Sequence, residues 1–217
     1  YGDATRSGRL TDDHVLEATH FSYDGGAWAD RLILTRTVRR LHDDSTTLGS
    51  ISTDPADALT TFVGYYYDEA DRRIRTANFG TNVGTDVFAV GGELTDWPPS
   101  TPPGTSYGNA LVTAVSYNAR GLVETMTDAE GTETRYLYDD MARRYAVIEN
   151  YDTANAPTVT WDDTLQRWKV TAGLNDTKMD TNRATSFVFD GAGNTVKQVA
   201  HLPTGTSEKV QITLYSY

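Results

Sequence analysis

The sequence predicts an all-β protein in which antiparallel hairpin repeats form a continuous curved sheet, with one short helical insertion. Two observations lead to this prediction: an aromatic motif recurs along the chain, and turn residues follow most of its copies. The copies read FSYDGG (21–26), YYYDEADRR (65–73), VSYNARGL (115–122), YLYDDMARR (136–144), FVFDGAGN (187–194) and a truncated YSY (215–217).

Each copy predicts a strand that ends at an acidic turn. The last aromatic of a copy is its anchor, and the anchors are Tyr23, Tyr67, Tyr117, Tyr138, Phe189 and Tyr217. Side chains alternate along a strand, so Tyr136 and Tyr138 share one face, which we expect to be the packing face. The polar residue after an anchor can accept a hydrogen bond from the N–H two residues on and so end the strand. These residues are Asp24, Asp68, Asn118, Asp139 and Asp190.

Glycine four residues after an anchor allows the positive φ that such a turn needs. Gly121 and Gly193 occupy this position, whereas Asp71 and Ala142 occupy it in two other copies. Between two anchors, GLVETMTDAEGTETRYLY predicts a hairpin with strands at 122–127 and 132–138 and a turn at 128–131.

Other segments predict additional elements. STDPADALTTF (52–62) carries helix-start signals in Asp54 and Pro55 and predicts the helical insertion. The proline-rich stretch 95–108 predicts a loop, either a boundary between 1–94 and 109–217 or, as we prefer, an excursion within one β region spanning 1–217. TVTWDDTLQRWKVTA (158–172) predicts a hairpin in which Trp161 and Trp168 stack, and a short strand is expected around 87–90.

Composition excludes several functions. Thirty acidic residues against nineteen basic ones give a net charge of −11, which disfavours nucleic acid and anionic lipid as partners. The chain has no cysteine, so thiol catalysis, disulfides and cysteine-based metal sites are excluded. No run of 18 apolar residues is present, and no membrane insertion is expected. The chain begins with Tyr1 rather than Met, and we interpret it as part of a longer protein.

No residue pattern predicts a catalytic, cofactor or metal site. The four histidines (His14, His20, His42 and His201) fit no compact metal motif, and His201 is expected in a loop. Paired acids at 12–13, 43–44, 139–140 and 162–163 lack calcium-loop spacing, and turns suffice to explain them. The double arginines at 72–73 and 143–144 are expected to neutralise nearby acids, with anionic glycans as the alternative.

The stretches 116–144 and 187–198 resemble the YD-repeat, or Rhs, family. That motif is an aromatic, any residue, Tyr-Asp, two residues, Gly, then Arg or Asn and an aliphatic residue. SGRLT at 7–11 is similar to its second half, and VIENYD and HLPTGT are similar to phrases of large bacterial members. The departures are Asn118 for Asp, Phe189 for Tyr, and Asp71 and Ala142 for Gly. The resemblance implies a β-sheet ribbon wound into a hollow shell, in a bacterial protein that is secreted or lies at the cell surface.

Three functions follow from these observations. The first is a non-enzymatic structural segment whose partners are flanking repeats of the same polypeptide and, by resemblance, an enclosed cargo or toxin domain. The second is a carbohydrate-binding or adhesion module that uses exposed Tyr and Trp rings. The third is a glycoside hydrolase or lyase on a β scaffold, which would need two facing carboxylates.

Overall fold

The computed structural model describes residues 15–24, 31–41, 58–81, 110–171, 180–202 and 209–217. These residues form almost entirely antiparallel β structure, as the sequence predicts. The strands are β1 Glu17–Tyr23, β2 Leu32–Arg40, β3 Ala58–Tyr67, β4 Arg73–Gly80, β5 Leu111–Tyr117, β6 Val123–Thr127, β7 Glu133–Tyr138, β8 Arg144–Glu149, β9 Thr158–Asp162, β10 Arg167–Thr171, β11 Arg183–Phe189, β12 Thr195–Leu202 and β13 Lys209–Leu214.

The chain divides into two compact units, residues 1–113 and 114–217. In unit 1, β1 to β4 pair in chain order, each antiparallel to the next. Alternate side chains of these strands meet in one apolar core, which includes the first residues of β5 because Val112 is fully buried there. The buried members of this core are Leu34, Phe62, Tyr66, Ala77, Phe79 and Val112.

In unit 2, β5 to β8 also pair in chain order, and β8 then pairs with β11 rather than with β9. β11 then pairs with β12, and β12 pairs with β13, in both cases antiparallel. Between β8 and β11, the described residues 150–171 and 180–182 lie outside this strand order, and we call them the excursion.

The excursion contains a 3-10 turn, Thr153–Asn155, and the hairpin of β9 and β10. Trp161 and Trp168 face each other across this hairpin, edge to face, with ring centroids 5.3 Å apart. Trp168 also stacks on Tyr145 at the start of β8, at 3.9 Å. The predicted hairpin at 158–172 is thus present, and it packs against the main sheet of unit 2.

A core cluster joins the excursion to the main sheet. Val170 of β10 lies with Ile148 of β8 and Ala184 of β11, and all three side chains are buried. Beside it, the buried Asn182 holds the two ends of the excursion together. Its N–H donates to the Asn150 carbonyl at 2.9 Å, and its Oδ1 accepts from the Asp152 N–H at 2.8 Å.

The predicted helical insertion at 52–62 is wrong for residues 58–62, which begin strand β3. Thr60 and Thr61 favour extended backbone, pairing with β2 supplies the hydrogen bonds, and Phe62 fills the core of unit 1. Residues 52–57 lie outside the described residues. The same holds for the loop or boundary at 95–108, the strand around 87–90, and the SGRLT segment at 7–11.

The prediction that the anchor aromatics form the packing face is also wrong. In β3 the buried aromatic side chains are Phe62 and Tyr66, whereas Tyr65 and the anchor Tyr67 lie on the opposite, half-exposed face. In β7, Leu137 packs against the core, and the rings on either side of it point the other way. Within the described part of the chain, no helix is long and apolar enough to cross a membrane.

Candidate functional site: the row of polar hairpin turns

Asp139 organises the turn between β7 and β8 with both of its carboxylate oxygens. Oδ1 accepts the N–H groups of Met141 at 3.0 Å and Arg143 at 2.8 Å, and Oδ2 accepts the Arg143 Nε at 2.7 Å. The backbone closes the same turn, because the Asp139 N–H donates to the Arg143 carbonyl and the Ala142 N–H donates to the Asp139 carbonyl. The five-residue turn is therefore satisfied almost entirely by its first and last residues.

The same turn occurs at Asp68, Asn118 and Asp190. In each, Oδ1 of the first residue accepts the N–H groups of the third and fifth residues, at distances between 2.8 and 3.1 Å. The fourth residue always has positive φ: 66° at Asp71, 78° at Gly121, 62° at Ala142 and 90° at Gly193. The backbone conformation is thus kept even where glycine is replaced.

A longer loop between β1 and β2 is closed in the same way. The Asp24 N–H donates to the Arg31 carbonyl at 3.0 Å, and the Arg31 Nε donates to Asp24 Oδ2 at 2.7 Å. These two contacts match those between Asp68 and Arg72. The closing pair is therefore independent of how many residues it encloses. We call the series of such turns in each unit its turn row. In unit 1 the turns of the row begin at Asp24 and Asp68, and in unit 2 they begin at Asn118, Asp139 and Asp190.

A β-bulge accompanies every turn of the two rows. At Tyr138 the anchor pairs with Arg144 and its neighbour Leu137 pairs with Ala146, so Tyr145 has no partner across the pair. The register shifts in the same way at the anchors of the other turns, Tyr23, Tyr67, Tyr117 and Phe189. A bulge increases local twist and re-aims side chains, so each hairpin bends at the same place.

Three turn carboxylates, those of Asp68, Asp139 and Asp190, are held in their ionised form. The side chain of Arg72 lowers the pKa of Asp68, and backbone N–H groups add to the effect. Burial alone would raise the pKa of Asp139, but the backbone and side chain of Arg143 hold it below its ordinary value. The side chain and N–H of Asn194 likewise lower the pKa of Asp190. Carboxylates with low pKa values and engaged oxygens are poor proton donors near neutral pH, so these acids are suited to structure.

In each double arginine, the first residue contacts a carboxylate and the second contacts an aromatic ring. Arg72 and Arg143 pair with the carboxylate that begins their own turn. The second arginines instead lie over the ring two residues before the anchor: Arg73 is 5.7 Å from the Tyr65 centroid and Arg144 is 5.2 Å from that of Tyr136. The half-exposed face of these two hairpins is thus an aromatic and cationic face. The tyrosine rings on this face contact arginine side chains.

The turn at Asp128 was predicted only as a hairpin turn, yet it has the same hydrogen bonds as the turn rows. Asp128 Oδ1 accepts from the Glu130 and Thr132 N–H groups, and Gly131 has a φ of 86°. It joins β6 to β7 at the opposite end of the strands and lacks the bulge. The spacing Asp-x-x-Gly shared with DGAG at 190–193 was the available sequence signal.

The histidines within the described residues are separate from the turns. His20 is exposed on β1, whereas His201, which was expected in a loop, lies in β12 and is buried. Its Nε2 is 2.8 Å from the Ser186 hydroxyl on β11, a partner that the sequence does not indicate. His14 and His42 lie outside the described residues. In the part of the chain that the structure describes, no group of three His, Asp or Glu side chains could hold a metal ion.

The anchor side chains of the first and last motif copies are more exposed to solvent than those of the other copies. Tyr23, on β1, is 54% exposed, and Tyr217, which follows β13, is 83% exposed. The remaining anchors, on β3, β5, β7 and β11, are half-buried. The motif residues predicted from sequence thus lie at strand ends or in turns, except Tyr136, which lies inside β7, and Tyr217, which lies beyond the last strand.

Comparison with known proteins gives structural matches only. No family model matches the chain, and no curated protein does. A crystal structure of TcdB2–TccC3 matches 93% of the chain at 12% identity and a TM-score of 0.28, and one of TcdB2–TccC3–Cdc42 matches 86% at 11% identity and 0.25. The chain covers 12% of the length of each. A protein of unknown function from Bacteroides fragilis matches 92% of the chain at 9% identity and a TM-score of 0.17.

Proposed function

We propose that this chain is a non-enzymatic wall segment of a YD-repeat β-shell in a large secreted or cell-surface protein. The observation that carries the proposal is the repetition of one local design. Anchor, bulge, polar turn and positive φ at the fourth turn position recur together in four short turns. A design repeated at this level of detail is typical of repeat architectures, in which each unit contacts its neighbours.

The two outer strands support flanking repeats as the partner. Among the described residues, β1 pairs with β2 alone and β13 pairs with β12 alone. β13 exposes Ile212 and Leu214, and its outer edge faces no other strand among the residues that the structure describes. Such an edge is a template for another strand, and the next repeat of the same polypeptide would supply it.

The turn carboxylates favour a scaffold over an enzyme. Asp68, Asp139 and Asp190 are occupied by hydrogen bonds from their own turns, and their low pKa values suit permanent acceptors. The Trp161 ring, a candidate for stacking on sugar, packs against Trp168 within the excursion, and its Nε1 donates to Asp163 at 2.9 Å. The Trp161 ring is therefore used to join the two strands of its own hairpin.

Light scattering on the isolated 217-residue chain tests the scaffold. We expect concentration-dependent association, because uncovered outer strands pair with one another when no flanking repeat covers them. A compact monomer at every concentration would contradict the proposal. Trp fluorescence titrated with a panel of glycans tests the binding alternative, and the scaffold predicts no change.

The family resemblance extends the proposal to an enclosed cargo or toxin domain in the parent protein. Electron microscopy of the intact parent tests this extension separately. We expect a hollow β-shell with density inside it. A parent whose sheet forms an open, unfilled surface would remove the cargo and leave the repeat scaffold standing.

A further inference from the structure

Arg120 leaves its own turn and contacts the next one. Its Nη2 donates to the Asp139 carbonyl at 2.7 Å, and its Nη1 donates to the Asp140 carbonyl at 3.2 Å. The turn that contains Arg120 is already closed by backbone bonds and by Asn118 Oδ1. Both guanidinium contacts therefore belong to the neighbouring turn, nineteen and twenty residues away along the chain.

Arg143 repeats the arrangement one turn further along the row. Within its own turn it pairs with Asp139, and its Nη1 then donates to the Asp190 carbonyl at 3.4 Å. Its guanidinium also lies 4.7 Å from the ring centroid of Phe189, the anchor of that next turn. One side chain thus contacts two turns and the anchor ring between β11 and its turn.

Unit 1 shows the same contact between its two turns. Arg31 closes its own loop against Asp24, and its Nη1 lies 3.1 Å from Asp71 Oδ1 in the next turn. Its guanidinium is 5.7 Å from the centroid of the anchor Tyr67. In each of these three cases the arginine points from the earlier turn of the chain to the later one.

We propose that these outgoing arginines, Arg31, Arg120 and Arg143, couple successive hairpins, so that opening of one turn loosens the next. Three features support the coupling: a charged donor reaches backbone carbonyls or a carboxylate, it does so at consecutive turns, and two of the three also cover the next anchor ring. Hydrogen bonds from charged donors are stronger than neutral ones. The backbone ladder sets which strands pair, and the arginines add a second connection at the strand ends. This inference stands whether or not the chain is part of a shell.

Hydrogen–deuterium exchange on the full chain, read by mass spectrometry on peptides that separate the turns, tests the coupling. The variant is Arg120→Ala, at an exposed side chain. We expect exchange in turn 139–143, whose N–H groups are intact in the variant, to accelerate about tenfold, as loss of hydrogen bonds from a charged donor allows. Arg120→Lys keeps the charge but not the two-pronged donor, and we expect a smaller acceleration in the same turn.

Arg183→Ala is the matched control, since Arg183 is an exposed arginine at the start of β11, away from the turns. We expect it to leave exchange at 139–143 unchanged. Acceleration confined to 118–122 would show that Arg120 serves only its own turn and would overturn the coupling. No acceleration, or an equal one throughout unit 2, would overturn it as well. Self-association does not enter this readout, so failure here is distinguishable from failure of the scaffold.

Discussion

Asp139 shows how much of a hairpin depends on one side chain. Its carboxylate satisfies two backbone N–H groups and one guanidinium that the turn would otherwise leave to water. The polar residue at this position selects a local conformation, whereas the strands on either side supply the burial. The natural Asn118 makes the same two backbone contacts without a charge. The amide is therefore sufficient to form the turn, and the charge strengthens the contacts with the backbone N–H groups and adds the pair with the arginine.

Replacing Asp139 separates these two contributions. We expect Asp139→Asn to lower the free energy of unfolding by less than about 1 kcal/mol, because the backbone acceptor is kept. Asp139→Ala removes the acceptor too and is expected to cost about 2 kcal/mol. Urea denaturation followed by circular dichroism measures both. Asp140→Asn, at the exposed neighbour, is the control, and equal losses for Asn and Ala at 139 would contradict this division.

The backbone conformation at Ala142 is less favourable for alanine than for glycine. Its φ of 62° lies in the left-handed region, which is unfavourable for a residue with a Cβ. We expect Ala142→Gly to raise the free energy of unfolding by about 1 kcal/mol. Gly193→Ala is the reciprocal change, with a φ of 90° and no atom within 4 Å of the added Cβ, so its loss of about 1 kcal/mol would be purely conformational. Denaturation midpoints that move in the same direction for both variants would refute this explanation.

The turn carboxylates make the stability of the folded chain depend on pH. Asp68, Asp139 and Asp190 have pKa values below the ordinary value in the folded chain. Their contribution is therefore complete above the unfolded pKa of about 3.9 and is lost as the pH falls through the lower folded values. We expect the thermal midpoint to be level above about pH 5 and to fall below about pH 4. The triple Asp→Asn variant should be less stable at neutral pH but show a shallower fall, and an unchanged slope would exclude these groups as the cause.

At the scale of elements, the hairpins that the sequence predicts are those whose signals are local. The hairpin at 122–138 follows from alternation and a four-residue turn, and the structure has β6, β7 and the turn in these places. The capping signals near Asp54 are local too, but residues 58–62 pair with β2, and this tertiary pairing decides their conformation. The packing of the half-buried Leu137, rather than of the adjacent tyrosines, against the core is equally non-local. It depends on which face the excursion covers.

The part of the turn rows that the sequence predicts also depends on local signals. The hydrogen bond from the N–H two residues beyond the polar residue follows from the residue type, and it is present at Asp68, Asn118, Asp139 and Asp190. The contact of Arg120 with the next turn could not be foreseen, since it depends on the distance between hairpins. Neither could the burial of His201, whose neighbours on β11 and β13 come from distant parts of the chain.

The excursion is held to the sheet of unit 2 by an aromatic contact that can be tested directly. Trp168 stacks on Tyr145 and meets Trp161 edge to face, so Trp168→Ala removes both contacts. We expect a loss of about 3 kcal/mol in the free energy of unfolding of unit 2, from lost burial together with two ring pairs. Trp161→Ala, which leaves the Tyr145 stack in place, should cost about 1 kcal/mol. Urea denaturation followed by circular dichroism gives both values, and similar losses would place the attachment elsewhere.

At the scale of the whole chain, the open outer strands are expected to govern its association. β13 combines exposed Ile212 and Leu214 (45% and 71% exposed) with an outer edge that pairs with no other strand in the described part of the chain, which favours strand addition. Lysine on an outer strand disfavours that addition because pairing would bring charges together or bury them. We expect Ile212→Lys together with Leu214→Lys to shift the chain toward monomer in sedimentation velocity.

Met141→Lys supplies the control for that shift. Met141 is 76% exposed, and its side chain lies in a turn rather than on an outer strand, so the substitution adds charge and removes apolar surface without changing a pairing edge. If association proceeds through β13, this variant associates like the parent chain while the β13 variant does not. Equal solubilisation by both would assign the association to general surface hydrophobicity, and strand addition at β13 would then have no role in it.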